Sequence, residues 1–170
     1  MSQAGAGIDL DVSVGYALKE AASALRSAME EVLHPLGMTV THYSCLELLA
    51  QRPGLSNSEL ARGTFVTRQA MNVLLLALEK DGIVTRSESA RLGRALPTRL
   101  TPRGTRSLEQ ASAAVRAVER RMLSGMTAAE QETILRALRR MTISLRASEE
   151  PSTPGRSSTR GTGDGDHPSE

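Results

Sequence analysis

The most concentrated chemistry in this chain is cationic. Between Val84 and Arg106 lie six arginines, Arg86, Arg91, Arg94, Arg99, Arg103 and Arg106, against a single acid, Glu88; the stretch holds five excess positive charges in a chain that nets only +2. Clustered guanidinium groups attract polyanions, phosphate above all. Lysine occurs only as Lys19 and Lys80, and genomic base composition alone can produce such a bias, so the position of the arginines carries the inference and their number does not. Other reactive types are sparse. Cys45 is the only cysteine and cannot form an internal disulfide, and His34, His42 and His167 stand too far apart to make a metal-ligand spacing. The chain has no nucleophile elbow, no phosphate-cradling glycine loop and no paired carboxylates in a cleft pattern, so an enzyme, a metal site and a bound cofactor are not expected.

The elements that position the arginines follow from periodicity and punctuation. At 170 residues, 39% hydrophobic and 24% charged, the chain suits one ordinary globular domain, and it has no apolar run long enough for a bilayer. Its first residues lack a basic segment followed by an apolar one, so a cytoplasmic location is expected. Residues 1–11 and 147–170 have little to bury and are expected to be disordered.

A first helix is predicted over residues 12–33. Its apolar positions Leu18, Ala22, Leu25, Met29 and Val32 continue to Leu36 and alternate three and four apart, which makes a seam for another helix. Pro35 and Gly37 end it. Thr39 caps a second helix over 40–51, stopped by Pro53-Gly54, and Ser56 with Glu59 forms a capping box for a short third helix over 57–62. After the GTFV link, Thr67 caps a fourth helix that runs to about Lys80 and stops at Asp81-Gly82. The β-prone IVTRS, the polar ESARLGR and then ALPTRL read as a two-stranded hairpin, with Pro97 confining its strand to an edge. Thr101-Pro102 opens a long helix to about Ser124. Thr127 with Glu130 then caps a last helix with a second seam, Ile134, Leu138, Met141 and Leu145.

This order predicts a mainly α fold with a small β-hairpin wing, a winged helix-turn-helix. The DNA-binding lobe is expected at about 39–100, and the helices at about 12–34 and 101–146 are expected to form a dimerisation region. Each seam is too hydrophobic to leave in water, because four to six buried side chains at roughly 1.5 to 3 kcal/mol apiece favour helix pairing.

The segment PLGMTVTHYSCLELLAQRPGLSNSELARGTFVTRQAMNVLLLALEKDGIVTR, followed by GRALPTRLTPRG, resembles the MarR family, the multiple antibiotic resistance regulators. The resemblance spans residues 14–146 in topology. Its most specific part is a wing pattern of aspartate, one residue, arginine, five residues and then Leu-Thr. Arg94 and Leu100-Thr101 fit this spacing, while Leu92 stands where the aspartate is usual, which puts the tip's rigidity in doubt and leaves the arginine's role intact.

The resemblance implies a homodimeric regulator of transcription bound to double-stranded DNA. The fourth helix would offer Arg68, Gln69, Asn72 and Val73 to base edges; arginine suits guanine, and glutamine or asparagine suits adenine. Thr67 caps that helix beside a phosphate. Arg94 would enter the minor groove, with Arg86, Arg91 and Arg99 on phosphates. Two such units about 34 Å apart require a roughly palindromic operator. Met71, Leu74, Leu75 and Leu78 anchor the helix from the opposite face; Leu76 has no evident role. The resemblance also implies a repressor relieved by a small-molecule effector, with Tyr16, Met38, His42 and Tyr43 as its candidate contacts.

Two other readings use the same residues. A winged helix can serve as a protein-interaction module, its charged hairpin simply solvated. Cys45 could be a redox-sensing thiol, but it sits mid-helix beside Leu46 with no nearby cation to lower its pKa, which favours a small buried side chain.

Overall fold

The computed structural model describes Gly7, residues 9–86 and residues 97–147. Residues 1–6, 8 and 148–170 of the two ends expected to be disordered, and the wing tip with its Arg91, Leu92 and Arg94, lie outside the described residues, whereas Leu10, Asp11 and Ala147 of those ends are held in helical structure. The chain divides after Gly125 into two compact units.

In the first unit, Asp9 caps a single 3₁₀ turn, Leu10–Val12, and Ser13 caps α1, Val14–Leu33, by accepting the Tyr16 N–H. The first helix therefore starts two residues later than expected, because Ser13 supplies a local acceptor at that point. A second 3₁₀ turn, His34–Leu36, carries Pro35 in its first turn and ends at Gly37 in the left-handed region. Thr39 caps α2 (Val40–Gln51), the Ser56–Glu59 box caps α3 (Asn57–Gly63), and Thr67 caps α4 (Arg68–Lys80). Strands β1 (Val84–Arg86) and β2 (Thr98–Leu100) pair antiparallel with Thr85 opposite Arg99. Thr101 caps α5, Pro102–Met122, with proline in its first turn.

Pro97 directly precedes β2, which is an edge strand of the two-stranded sheet, and β2 is also bonded on its far side. Opposite β1, the Gly54 N–H donates to the Thr98 carbonyl at 3.0 Å and the Thr98 N–H donates to the Leu55 carbonyl at 3.3 Å. The loop after α2 thus covers the edge of β2 that faces away from β1.

The core gathers Cys45, Leu46 and Leu49 of α2, Leu60 and Ala61 of α3, Met71, Leu74, Leu75 and Leu78 of α4, Val84 of β1 and Leu108 of α5. Its tightest joint ties the hairpin to α5. The Thr101 hydroxyl donates to the Gly82 carbonyl at 2.6 Å and accepts the Gly104 N–H at 3.0 Å, while the Thr101 N–H donates to the Ile83 carbonyl at 3.0 Å. Gly104 must be glycine here, because any Cβ would strike the Ile83 carbonyl oxygen. Gly82 turns the chain from α4 into β1 at φ +67, a conformation that glycine adopts without steric cost.

The second unit contains α6, Ala128–Ala147, entered through the Thr127–Glu130 capping box. Ile134, Leu138, Met141 and Leu145 are all exposed on it. Among the described residues no helix is long and apolar enough to cross a membrane.

Candidate nucleic-acid interface

Helix α4 separates its residues into two faces. Met71, Leu74, Leu75 and Leu78 are buried, whereas Thr67, Arg68, Gln69, Asn72, Val73 and Leu76 are exposed. The exposed set falls on adjacent rows three or four residues apart, so one outward ridge starts at the helix N-terminus. Two bonds fix its start. The Thr67 hydroxyl accepts the Ala70 N–H at 3.1 Å, and the Asn57 side-chain amide donates to the Arg68 carbonyl at 3.2 Å, tying the opening of α3 to the opening of α4. With Ala70 capped, the N–H groups of Arg68 and Gln69 have no partner within the helix and point along its axis, a geometry that favours an anion. Asn72 and Val73 stand one turn further along. Val73 is 64% exposed and Leu76 52% exposed; nothing in the fold explains Leu76.

The hairpin begins one turn beyond the other end of α4. Arg86 does not point freely from it: its Nε and Nη2 both donate to Glu79 Oε2, at 2.9 and 2.6 Å. This bond holds the Glu79 carboxyl below its ordinary range. Arg86 thus straps β1 to the last turn of α4 in the free protein, a role invisible from sequence because the partners lie on opposite sides of a turn. Arg99, exposed on β2, lines an open cleft of about 540 Å³ bounded by α2, β2 and α5. The structure therefore brings Thr67, Arg68, Gln69, Asn72 and Val73 together on one ridge, with Arg86 held by Glu79 and Arg99 exposed along the cleft.

A profile of the MarR family matches residues 36–95. The HTH-type transcriptional repressor Rv2887 of Mycobacterium tuberculosis is 42% identical over 135 residues, 79% of this chain and 97% of that repressor. The crystal structure of that MarR family protein in complex with salicylic acid superposes with a TM-score of 0.64 at 43% identity, covering 77% of this chain and 97% of the other. The chain belongs to the MarR family. Rv2887 has also been solved in complex with DNA; that structure matches this MarR-family chain with a TM-score of 0.64 at 40% identity, over 77% of this chain and 98% of its own. The fold is the winged helix-turn-helix of MarR transcription regulators.

The cleft adds chemistry that the sequence did not reveal. Leu49, Leu100 and Leu108 give it an apolar wall, and the guanidinium-bearing Arg99 and Arg116 line it together with Glu47 and Ser112. Glu47 is engaged: the Ser112 hydroxyl donates to its Oε2 at 3.1 Å. Tyr43 lies against the same pair, and burial pushes its phenol up, partly opposed by Ser112. Of the four residues expected to meet an effector, Tyr43 alone reaches residues of this cleft. Met38 packs against the core, Tyr16 stands exposed on α1, and His42 is partly buried on α2, where burial lowers its imidazole and the Asp81 charge opposes the shift. Arg116 and Ser112 escaped sequence reasoning because they lie about sixty residues beyond α2 and meet it only through the fold.

Cys45 is fully buried, 3.9 Å from the Met71 sulfur. Burial pushes its thiol up to about 12, far from the thiolate that reacts with oxidants. Among the described residues no three metal-ligating side chains gather.

Proposed function

We propose that this MarR regulator is a homodimeric repressor that inserts α4 of each subunit into successive major grooves of a roughly palindromic operator. Arg68, Gln69 and Asn72 meet base edges, Val73 packs on a thymine methyl or a sugar, and Thr67 with the helix N-terminus meets a phosphate. Arg91 and Arg94 serve the wing on the strength of the family pattern. In this reading Arg86 braces the wing and meets a phosphate only if Glu79 yields it. The helices at 12–34 and 101–146 pair the subunits. The observation that carries the proposal is the outward ridge of α4, polar at its first turns and backed by four buried apolar residues.

Repression is relieved by a small aromatic acid. The salicylic acid complex of Rv2887 supports the ligand class, and the cleft supports the chemistry: an apolar wall for a ring, with Arg99 and Arg116 for a carboxylate. Because Arg99 lies on β2, a ligand held there acts directly on the hairpin.

A mobility shift with duplex from the source genome, repeated across salt concentrations, tests the function. Binding through several phosphates must weaken steeply with ionic strength. A complex that ignores salt would instead favour a protein-interaction module.

A further inference from the structure

Phe65, in the turn between α3 and α4, is the most exposed large hydrophobic residue among those described, at 83%, and the only non-glycine residue among them with positive φ, at +59. Single exposed apolar side chains are ordinary on protein surfaces. This one stands apart because its backbone conformation is strained for a bulky residue.

The strain has a defined origin. Helix α3 ends with the Val66 N–H donating to the Ala61 carbonyl at 3.0 Å and the Phe65 N–H donating to the Arg62 carbonyl at 3.4 Å. That pair of bonds closes a helix through one left-handed residue, a place where glycine is the usual occupant. Val66, the next residue, packs against the core and locks the turn. Folding alone therefore favours glycine at position 65, and the ring makes no core contact that would offset the strain.

We infer that Phe65 is a further DNA-contacting residue, its ring seated on the deoxyribose-phosphate wall of the major groove beside the opening turn of α4. The inference rests on the proposed function. Arg68 is the third residue after Phe65, so their Cα atoms are at most roughly 11 Å apart. The groove that would receive Arg68 is about 12 Å wide. A ring projecting outward from that turn cannot remain far from the groove wall once Arg68 reaches a base. Sugar carbons offer it an apolar surface, and burying the ring there recovers the contact that the fold does not supply.

The test compares full-length wild type, Phe65→Gly, Phe65→Tyr and Arg68→Ala on a duplex selected by the wild type from a random-sequence pool. Phe65→Gly is expected to bind roughly five- to twentyfold more weakly, with an unchanged salt slope because no charge is lost. Its melting temperature should equal or exceed that of the wild type, since glycine relieves the strained φ. Phe65→Tyr, which keeps the ring, should bind within about twofold of the wild type, whereas Arg68→Ala should relax the base preference at one position of the half-site. Undiminished binding by Phe65→Gly, or weakening matched by a lower melting temperature or by dissociation of the dimer, would overturn the inference while leaving the proposed function standing. Phe65→Asn, which also tolerates left-handed backbone, repeats the comparison; failure of both variants to fold would equally overturn it, by making the ring structural. A wild type that selects no duplex would sink the proposed function itself.

Discussion

Glu79 in the last turn of α4 grips Arg86 of β1 with two hydrogen bonds to a single carboxylate oxygen, at 2.6 and 2.9 Å. The pair links the helix proposed to read bases to the hairpin proposed to flank it, so the angle between them is not left to the turn at Gly82 alone. The arginine side chain is 17% exposed and the glutamate 38%, so solvent screening keeps the pair a small contributor to stability. Arg86→Ala is expected to lower stability slightly in urea melts and to leave the salt slope of duplex binding unchanged. A slope reduced by about one would mean that Arg86 leaves Glu79 to neutralise a phosphate. The pH dependence follows from the lowered Glu79 carboxyl. A carboxyl that titrates lower in the folded state adds stability above its ordinary value, and that stability is lost as pH falls through the lowered one. Glu79→Gln should remove this part of the acid sensitivity.

Gly104 supplies a sharper test of the joint beneath the wing. Gly104→Ala drives a methyl against the Ile83 carbonyl oxygen, which is backbone fixed by the Thr101 N–H. The expected cost is about 2 kcal/mol or more, read by denaturant unfolding. A change under about 0.5 kcal/mol would show that α5 slides away freely.

Much of this architecture was legible because its punctuation is local. The side chains of Thr39, Ser56, Thr67 and Thr101 each cap a helix three residues before the N–H they accept, and the same helices could be read from sequence to within a residue or two. The outward ridge of α4 was equally legible, since 3.6-residue periodicity alone separates Met71, Leu74, Leu75 and Leu78 from Arg68, Gln69 and Asn72. What escaped depends on distant segments. The engagement of Arg86 by Glu79, the Gly104 approach to Ile83 and the meeting of Arg116 with α2 leave no trace in spacing. Gly63 misled in a different way: it reads as the first residue of the link, yet it is the last residue of α3, and the left-handed residue is Phe65.

Cys45 should be inert while the protein is folded. With its thiol pushed up to about 12 against an ordinary 9.0, alkylation by a maleimide at neutral pH is expected to be slow in buffer and fast in denaturant. Peroxide should not release the protein from DNA. On the alkaline side, the unfolded thiol ionises first, so the stability linked to Cys45 is present below pH 9 and declines as pH climbs towards 12. Rapid native alkylation together with peroxide-dependent release would restore the redox reading.

The cleft makes its own prediction. Arg116→Gln should leave duplex affinity within about twofold but abolish the release of DNA by salicylate, because it removes one of two cationic contacts with the carboxylate while leaving the α4 ridge untouched. Retained release at the same salicylate concentration would place the effector elsewhere.

The most direct test of the central claim, that the outer ridge of α4 reads sequence, is the affinity of wild type and Arg68→Ala for the selected duplex and for variants with each base pair of one half-site changed in turn. The account predicts that Arg68→Ala folds as stably as the wild type, binds the matched duplex more weakly, and loses discrimination at one base pair by about 1–3 kcal/mol. Wild-type affinity together with an unaltered pattern of base preferences would contradict it.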